Sequence, residues 1–259
     1  MRVTALTGRT ALITGGGRGI GRAIALAFAA EGAKIAVAAR TRIEVEAVAD
    51  ACGALGADAV AIVLDVTDRN QCAQAIAECD TRWGHLDVLV NNAGMATAQK
   101  FIDLDDATWE RTLAVDLTGA FYLTQVALPS MLQRHDGCVI AINSIAGKVG
   151  APYIAAYAVA KHGLLGLMRS LAAEYARSGV TFNSVCPAYV DSPMTRGAID
   201  HIVQTTGRSA NQALAALLTP QGRLVMPDEV AAVCVLLASE AGRGINGQAI
   251  NVDGGAVQS

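Results

Sequence analysis

Thr10-Ala11-Leu12-Ile13-Thr14-Gly15-Gly16-Gly17-Arg18-Gly19-Ile20-Gly21 is the stretch that decides the fold. Thr10–Ile13 is a short apolar run, and Gly19–Glu31 carries a helical pattern. Glycines at such a junction permit a tight turn, close backbone approach to a pyrophosphate, and close packing of helix on strand. The helix N-terminus adds free N–H groups and a partial positive charge. The spacing is G-x-x-x-G-x-G rather than the more familiar G-x-G-x-x-G. A glycine-rich turn alone is also found in ordinary loops. Its position between a first strand and a first helix makes Gly15, Gly17, Arg18, Gly19 and Ile20 candidate phosphate contacts.

Working outward, strands and helices alternate. Strands are expected at Lys34–Ala39, Ala59–Leu64, Leu86–Val90, Cys138–Ile142, Val180–Val185 and Gln248–Val252. Helices are expected at Asn70–Trp83, Thr108–Leu132 (with Pro129 near its end), Tyr153–Arg177 and Asp228–Leu237. The strands are near-continuous apolar runs, the mark of strands covered on both faces. Alternating β and α units imply one α/β domain over residues 1–259, a Rossmann-type, doubly wound, seven-stranded parallel sheet. Residues 192–226 form the one long segment without a strand, read as a substrate lid at the C-terminal edge of the sheet.

Composition supports a well-buried chain. Of 259 residues, 53% are apolar and 17% charged, against roughly 45–50% and about 25% in typical domains. The net charge of −3 gives no reason to expect nucleic acid. No apolar run approaches the roughly 18 residues of a membrane span, and no signal-peptide core is visible, so a cytoplasmic protein is expected. The six cysteines form no C-x-x-C pair, which argues for reduced core thiols and for no metal site.

About 20 residues past the glycine turn, an acidic residue would bind the 2′-hydroxyl of NAD. The chain has Ala38-Ala39-Arg40-Thr41-Arg42 instead. An arginine there can pair with a 2′-phosphate, and Arg18 adds a second cation, so NADP(H) is favoured over NAD(H). The bland alternative makes Arg40 and Arg42 a solvated helix start. Tyr157 and Lys161 lie four residues apart on an expected helix and share a face. A free tyrosine, with a pKa near 10, is a poor acid–base group at neutral pH; a neighbouring ammonium lowers that pKa. Alone, such a pair is more often a surface feature.

Thr14–Gly21, Asn91-Asn92-Ala93-Gly94, Ser144, Tyr157-x-x-x-Lys161 and the Pro187–Met194 segment occur in order. Together they resemble the short-chain dehydrogenase/reductase family, from about Gly8 to Gly255. The resemblance implies an NAD(P)-dependent enzyme that interconverts a ketone and a secondary alcohol. It makes Tyr157 the proton donor, Ser144 the partner of the substrate oxygen, and Lys161 the residue that binds the nicotinamide ribose and tunes Tyr157. It gives Asp65 and Val66 to the adenine, Asn92, Ala93 and Gly94 to the adenosine ribose, and Pro187, Val190 and Ser192 to the nicotinamide end. Asn91 is expected to stabilise the sheet. The family is mostly tetrameric, and Leu164, Leu165, Leu167 and Met168 suggest long helices apolar on many sides, so a homotetramer is expected.

Two departures stand out. Asp116 occupies a position where the family usually has an asparagine that helps hold a water chain to the lysine. An ionised carboxylate accepts hydrogen bonds but cannot donate them, and its charge can weaken the hold of Lys161 on Tyr157. A shifted pH profile is expected, with Asp116 counted among the catalytic group. Ala188 replaces the usual glycine after the sixth strand. Met95, Val149, Tyr153, Tyr189 and Met194 would line a largely apolar substrate pocket, while Arg196, His201 and Arg208 would either meet an acyl-thioester carrier or be solvated. The closest look is to 3-oxoacyl-thioester reductases and hydroxyacyl-coenzyme A dehydrogenases. Polyketide or aromatic ketoreductases and other secondary-alcohol dehydrogenases are the alternative, with a non-catalytic NADP-binding scaffold or a non-redox enzyme on the same fold behind them.

Overall fold

A computed structural model describes residues 4–258. Seven strands form one all-parallel sheet in the order β3-β2-β1-β4-β5-β6-β7. They are β1 (Thr10–Thr14), β2 (Lys34–Ala39), β3 (Ala59–Val63), β4 (Val88–Asn91), β5 (Gly137–Ile142), β6 (Val180–Pro187) and β7 (Ala249–Val252). The order reverses at β1 and β4, where two crossovers diverge and leave a crevice at the C-terminal strand ends.

The apolar strand runs have a simple cause. Successive side chains point to opposite faces. Ala11 and Ile13 of β1, Ile35 and Val37 of β2, and Val88 and Val90 of β4 enter one core. Leu12, Ala36, Ala38 and Leu89 enter the other. The first core is closed by α1 (Gly19–Ala30), α2 (Arg42–Ala54) and, from late in the chain, the helix Pro227–Ala238. The second is closed by α3 (Arg69–Trp83), α5 (Gly119–Arg134) and α6 (Ala155–Glu174).

Several boundaries differ from the sequence expectation. The helix expected over Thr108–Leu132 is two helices, α4 (Asp106–Leu113) and α5, joined through a wider π-type turn at Ala114–Thr118. The helix expected over Tyr153–Arg177 runs only over Ala155–Glu174. Tyr153 cannot be its first turn, because its φ of 69° is left-handed. Helix α2 is not among the expected helices, though it begins at Arg42, where the alternative reading put a solvated helix start. Its buried Val45, Val48, Ala49 and Cys52 have helical spacing, but small residues and charges dilute the pattern. Of the four residues taken as signs of a many-sided apolar helix, Leu164, Leu165 and Met168 are buried within the subunit and Leu167 packs partly buried against the same core. They are accounted for without a partner chain.

Residues 192–226 fold as α7 (Pro193–Thr206), α8 (Ala210–Ala215) and loops, followed by α9 (Pro227–Ala238). A single parallel rung, Val190 against Val225, joins the two ends of the segment. All six cysteines are free and buried.

One polar knot pins the N-terminal edges of β1 and β4. Asp87 Oδ2 accepts from the Thr10 N–H at 3.0 Å, and Oδ1 accepts from Arg134 Nη1 at 2.8 Å. Burial pushes this carboxyl up, but the Thr10 N–H and the charges of Arg9, Arg134 and His85 outweigh it and hold the pKa below the usual range. A depressed folded-state pKa contributes stability above the unfolded value, near 4, that is lost as pH falls through the folded one. Asp87→Asn is expected to cost about 1–3 kcal/mol at neutral pH, because the Thr10 N–H and the partly exposed Arg134 lose a charged acceptor, although Arg134 keeps the Leu86 carbonyl. The variant should also flatten the acid limb of stability, both effects being read from denaturant melts across pH.

Candidate active site

The crevice is built from the ends of β1, β4, β5 and β6 and the first two turns of α6. At the glycine turn, Gly15 has a left-handed φ of 61°. A Cβ on Gly21 would run into the Gly15 carbonyl and the Asn92 amide, so the helix can start this close to the strand only with glycine there. The first turn of α1 has no side-chain cap on its free N–H groups and no acidic residue. This donor set fits a coenzyme pyrophosphate. Asn92 Nδ2 donates to the Thr14 carbonyl at 2.8 Å and to that of Gly15 at 3.1 Å, tying the end of β4 to the turn. Asn91 Nδ2 donates to Thr124 at 3.0 Å, a tie from the sheet to α5.

Ser144 leaves the end of β5 extended and caps a short 3-10 turn, its Oγ accepting from the Ala146 N–H at 3.1 Å. Tyr157 and Lys161 sit one turn apart on α6, with Lys161 Nζ 5.5 Å from the Tyr157 ring centre. Lys161 Nζ donates to the Ile142 carbonyl at 3.1 Å and lies 3.2 Å from Asp116 Oδ1. Both partners of this ion pair are buried. Asp116 lies in the π-type turn, whose extra residue turns it toward Lys161; its Oδ2 also accepts from the Met95 N–H at 3.1 Å.

The charges are strongly coupled. Burial pushes the Tyr157 phenol up; Lys161 pulls it down, Asp116 opposes that pull, a Ser144 hydrogen bond lowers it and Tyr189 adds a small rise. The result lies above the ordinary tyrosine value, so the lowering expected from Lys161 alone is overridden. Burial pushes the Asp116 carboxyl up, and Lys161 and the Met95 N–H reverse that only in part. Burial works against the Lys161 ammonium, yet Asp116 and then Tyr157 more than compensate, and its pKa ends above the usual one.

The remaining residues fall around this centre. Asp65 follows β3 with its carboxylate in a turn, accepting from the Thr67 N–H at 3.0 Å, and Val66 is buried against Gly119. A Cβ on Gly19 would lie 3.5 Å from that of Ser192, so the segment after β6 passes over the glycine turn. Val149, Tyr153, Tyr189 and Met194 present exposed apolar surface. The Gln99 N–H donates to the Tyr153 carbonyl at 2.7 Å, linking the loop after β4, which carries Met95, to the loop before α6. One positioning residue escaped the sequence reading. Buried Asn143 accepts from the Ser144 N–H at 2.8 Å and donates to the Lys161 carbonyl at 3.1 Å, locking strand end to helix. Its only signal was an amide directly before a strand-end serine.

The family model described as short chain dehydrogenase matches residues 9–203. The chain is a short-chain dehydrogenase. It is 37% identical to the D-beta-hydroxybutyrate dehydrogenase of Cupriavidus necator, over 96% of this chain and 98% of that one. It is 32% identical to the 3-oxoacyl-[acyl-carrier-protein] reductase of Thermotoga maritima, over 97% and 99%. Among solved structures, a variant of actinorhodin polyketide ketoreductase with NADPH matches with a TM-score of 0.92 at 33% identity, over 96% and 97% of the chains. This short-chain dehydrogenase is therefore an NAD(P)-dependent oxidoreductase of the alcohol dehydrogenase and ketoreductase type. No helix among its described residues is long and apolar enough to cross a membrane.

Proposed function

We propose that the protein reduces the ketone of a 3-oxoacyl thioester, on coenzyme A or acyl carrier protein, or of a related hydrophobic ketone, with NADP(H). The observation that carries this reading is the Ser144, Tyr157 and Lys161 cluster, set beside the glycine turn under an apolar rim. Tyr157 donates its proton to the carbonyl oxygen as charge builds there. The Ser144 hydroxyl donates a hydrogen bond to the same oxygen. Lys161 fixes a positive charge beneath Tyr157 and holds the ribose next to the nicotinamide. When bound, the coenzyme supplies the hydride for reduction or takes it up in oxidation. Gly15, Gly17, Gly19 and Ile20 hold the pyrophosphate side, Arg18 and Arg40 the 2′-phosphate, Asp65 and Val66 the adenine, Asn92, Ala93 and Gly94 the ribose, and Pro187, Val190 and Ser192 the carboxamide end.

Met95, Val149, Tyr153, Tyr189 and Met194 receive the substrate, with 192–226 as a lid on a single domain. The names of the two curated relatives support a 3-oxoacyl or 3-hydroxyacyl substrate. The match to a polyketide ketoreductase favours a second reading, a cyclic or aromatic ketone. Exposed Phe121 on α5 and Val159 on α6 support a homotetramer with dihedral symmetry, and the protein is taken as cytoplasmic. Light scattering tests the assembly.

The activity is tested by coenzyme oxidation against a panel of 3-oxoacyl thioesters, free 3-oxo acids and cyclic ketones. Turnover of the thioesters with the highest kcat/KM supports the first reading, and preference for cyclic ketones supports the second. No turnover despite coenzyme binding points to a scaffold. For the coenzyme, Arg40→Ser is expected to raise the KM for NADPH about 10- to 100-fold, the worth of one charge-assisted contact, and to leave that for NADH nearly unchanged. A native enzyme that prefers NADH would refute the role of Arg40.

A further inference from the structure

The arginines near the end of β2 are not alone. Arg42 pairs with Glu46 at 3.3 Å on the outer side of α2. Arg18, in the glycine turn, faces Glu44 of the first turn of α2, with Nη1 3.7 Å from Oε1. Glu44 packs directly on the turn: a Cβ on Gly17 would lie 2.8 Å from Glu44 Cβ and 3.3 Å from its Oε2. Its carboxylate therefore stands where an anion held by Arg18 would have to approach. A dianionic phosphate there meets a like charge at close range, whereas a neutral ribose hydroxyl can donate a hydrogen bond to it. Repulsion of one ligand and acceptance of the other is how a site narrows or widens its choice.

We propose that Glu44 is a specificity-determining residue that restrains the preference for a 2′-phosphorylated coenzyme and keeps the unphosphorylated one usable. The inference rests on the reading of Arg18 and Arg40 as the 2′-phosphate contacts. Glu44 acts through charge, on an arginine that it also keeps facing the turn. The half-buried Glu44 side chain and the more exposed guanidinium leave the interaction open to salt.

Calorimetry with 2′,5′-ADP and with plain 5′-ADP separates the 2′-phosphate from the rest of the coenzyme and needs no turnover. Glu44→Gln is expected to tighten 2′,5′-ADP about 5- to 10-fold at low salt, with 5′-ADP unchanged or weaker. The gain should vanish when Arg18→Gln is added. Unchanged or weakened 2′,5′-ADP binding in Glu44→Gln overturns the inference, as does a gain that survives Arg18→Gln. If Arg40→Ser loses 2′,5′-ADP while Glu44→Gln changes nothing, this inference fails and the coenzyme reading stands. If the native protein binds both diphosphates equally and Arg40→Ser alters neither, the coenzyme reading is what fails.

Discussion

Tyr157→Phe is expected to lower kcat for ketone reduction by about 10²- to 10⁴-fold while leaving coenzyme affinity within a few-fold. Only a hydroxyl is lost, and the ring that lies 5.5 Å from Lys161 Nζ remains. The reaction then lacks its internal proton donor and must take the proton from water. Single-turnover kinetics with saturating coenzyme measure the drop at the chemical step. A variant with full activity would move the acid role elsewhere in the crevice. Because burial and Asp116 together hold the phenol above its ordinary range, the resting tyrosine is protonated at neutral pH. That state suits reduction and leaves little base for oxidation.

Asp116→Asn is expected to shift both pH profiles toward acid by about one to two units, the order of one unit charge acting across a buried site at intermediate dielectric. The amide oxygen can still accept from the Met95 N–H, so the turn persists. What changes is the field. Lys161 loses the carboxylate at 3.2 Å and acts on Tyr157 as an uncompensated cation. A lower tyrosine pKa means that oxidation, which needs the phenolate, rises at lower pH. Reduction, which needs the phenol, is lost at lower pH. The ratio of oxidation to reduction rates at neutral pH should therefore increase. An unmoved profile would show that the pair does not act on Tyr157. An alkaline shift would show that Lys161 had given up its proton once its partner was removed.

The strands and the order of the motifs were legible because both rest on local rules. A strand covered on two faces must be apolar through its middle, as Ala11–Ile13 and Ile35–Ala39 are, and a glycine turn needs its glycines. Helical spacing put Tyr157 and Lys161 on one face, while Ser144 joined them only through the family resemblance. The direct contact of Asp116 with Lys161 did not. It depends on one added residue in a helical turn, which leaves no mark on composition, and on a depth of burial that no sequence pattern states. Tyr153 shows the same limit, since its left-handed backbone is imposed by neighbouring loops rather than by the residue. Helix α2 was missed for a different reason. Its buried face is made of Val45, Val48, Ala49 and Cys52, residues too small to stand out beside four charges. With it went Glu44, the carboxylate set against the arginine that the sequence marked for a phosphate.

The rung between Val190 and Val225 gives the last segment an unusual independence. The Asp191 N–H donates to the Val225 carbonyl at 2.9 Å and the Val225 N–H to that of Tyr189 at 3.0 Å. The chain thus leaves β6, wanders through α7 and α8, and returns to within a hydrogen bond of its departure point. Between those ends α7 and α8 pack on each other, and the segment meets the rim of the sheet near Gly19 and Gly254. Closing a longer excursion costs only slowly more, so the segment can be lengthened, shortened or rewritten at small expense to the sheet. The catalytic cluster and the part that screens what reaches it are thereby free to diverge at different rates. One framework can then serve relatives named for a hydroxy acid, a carrier-bound acyl chain and a polyketide.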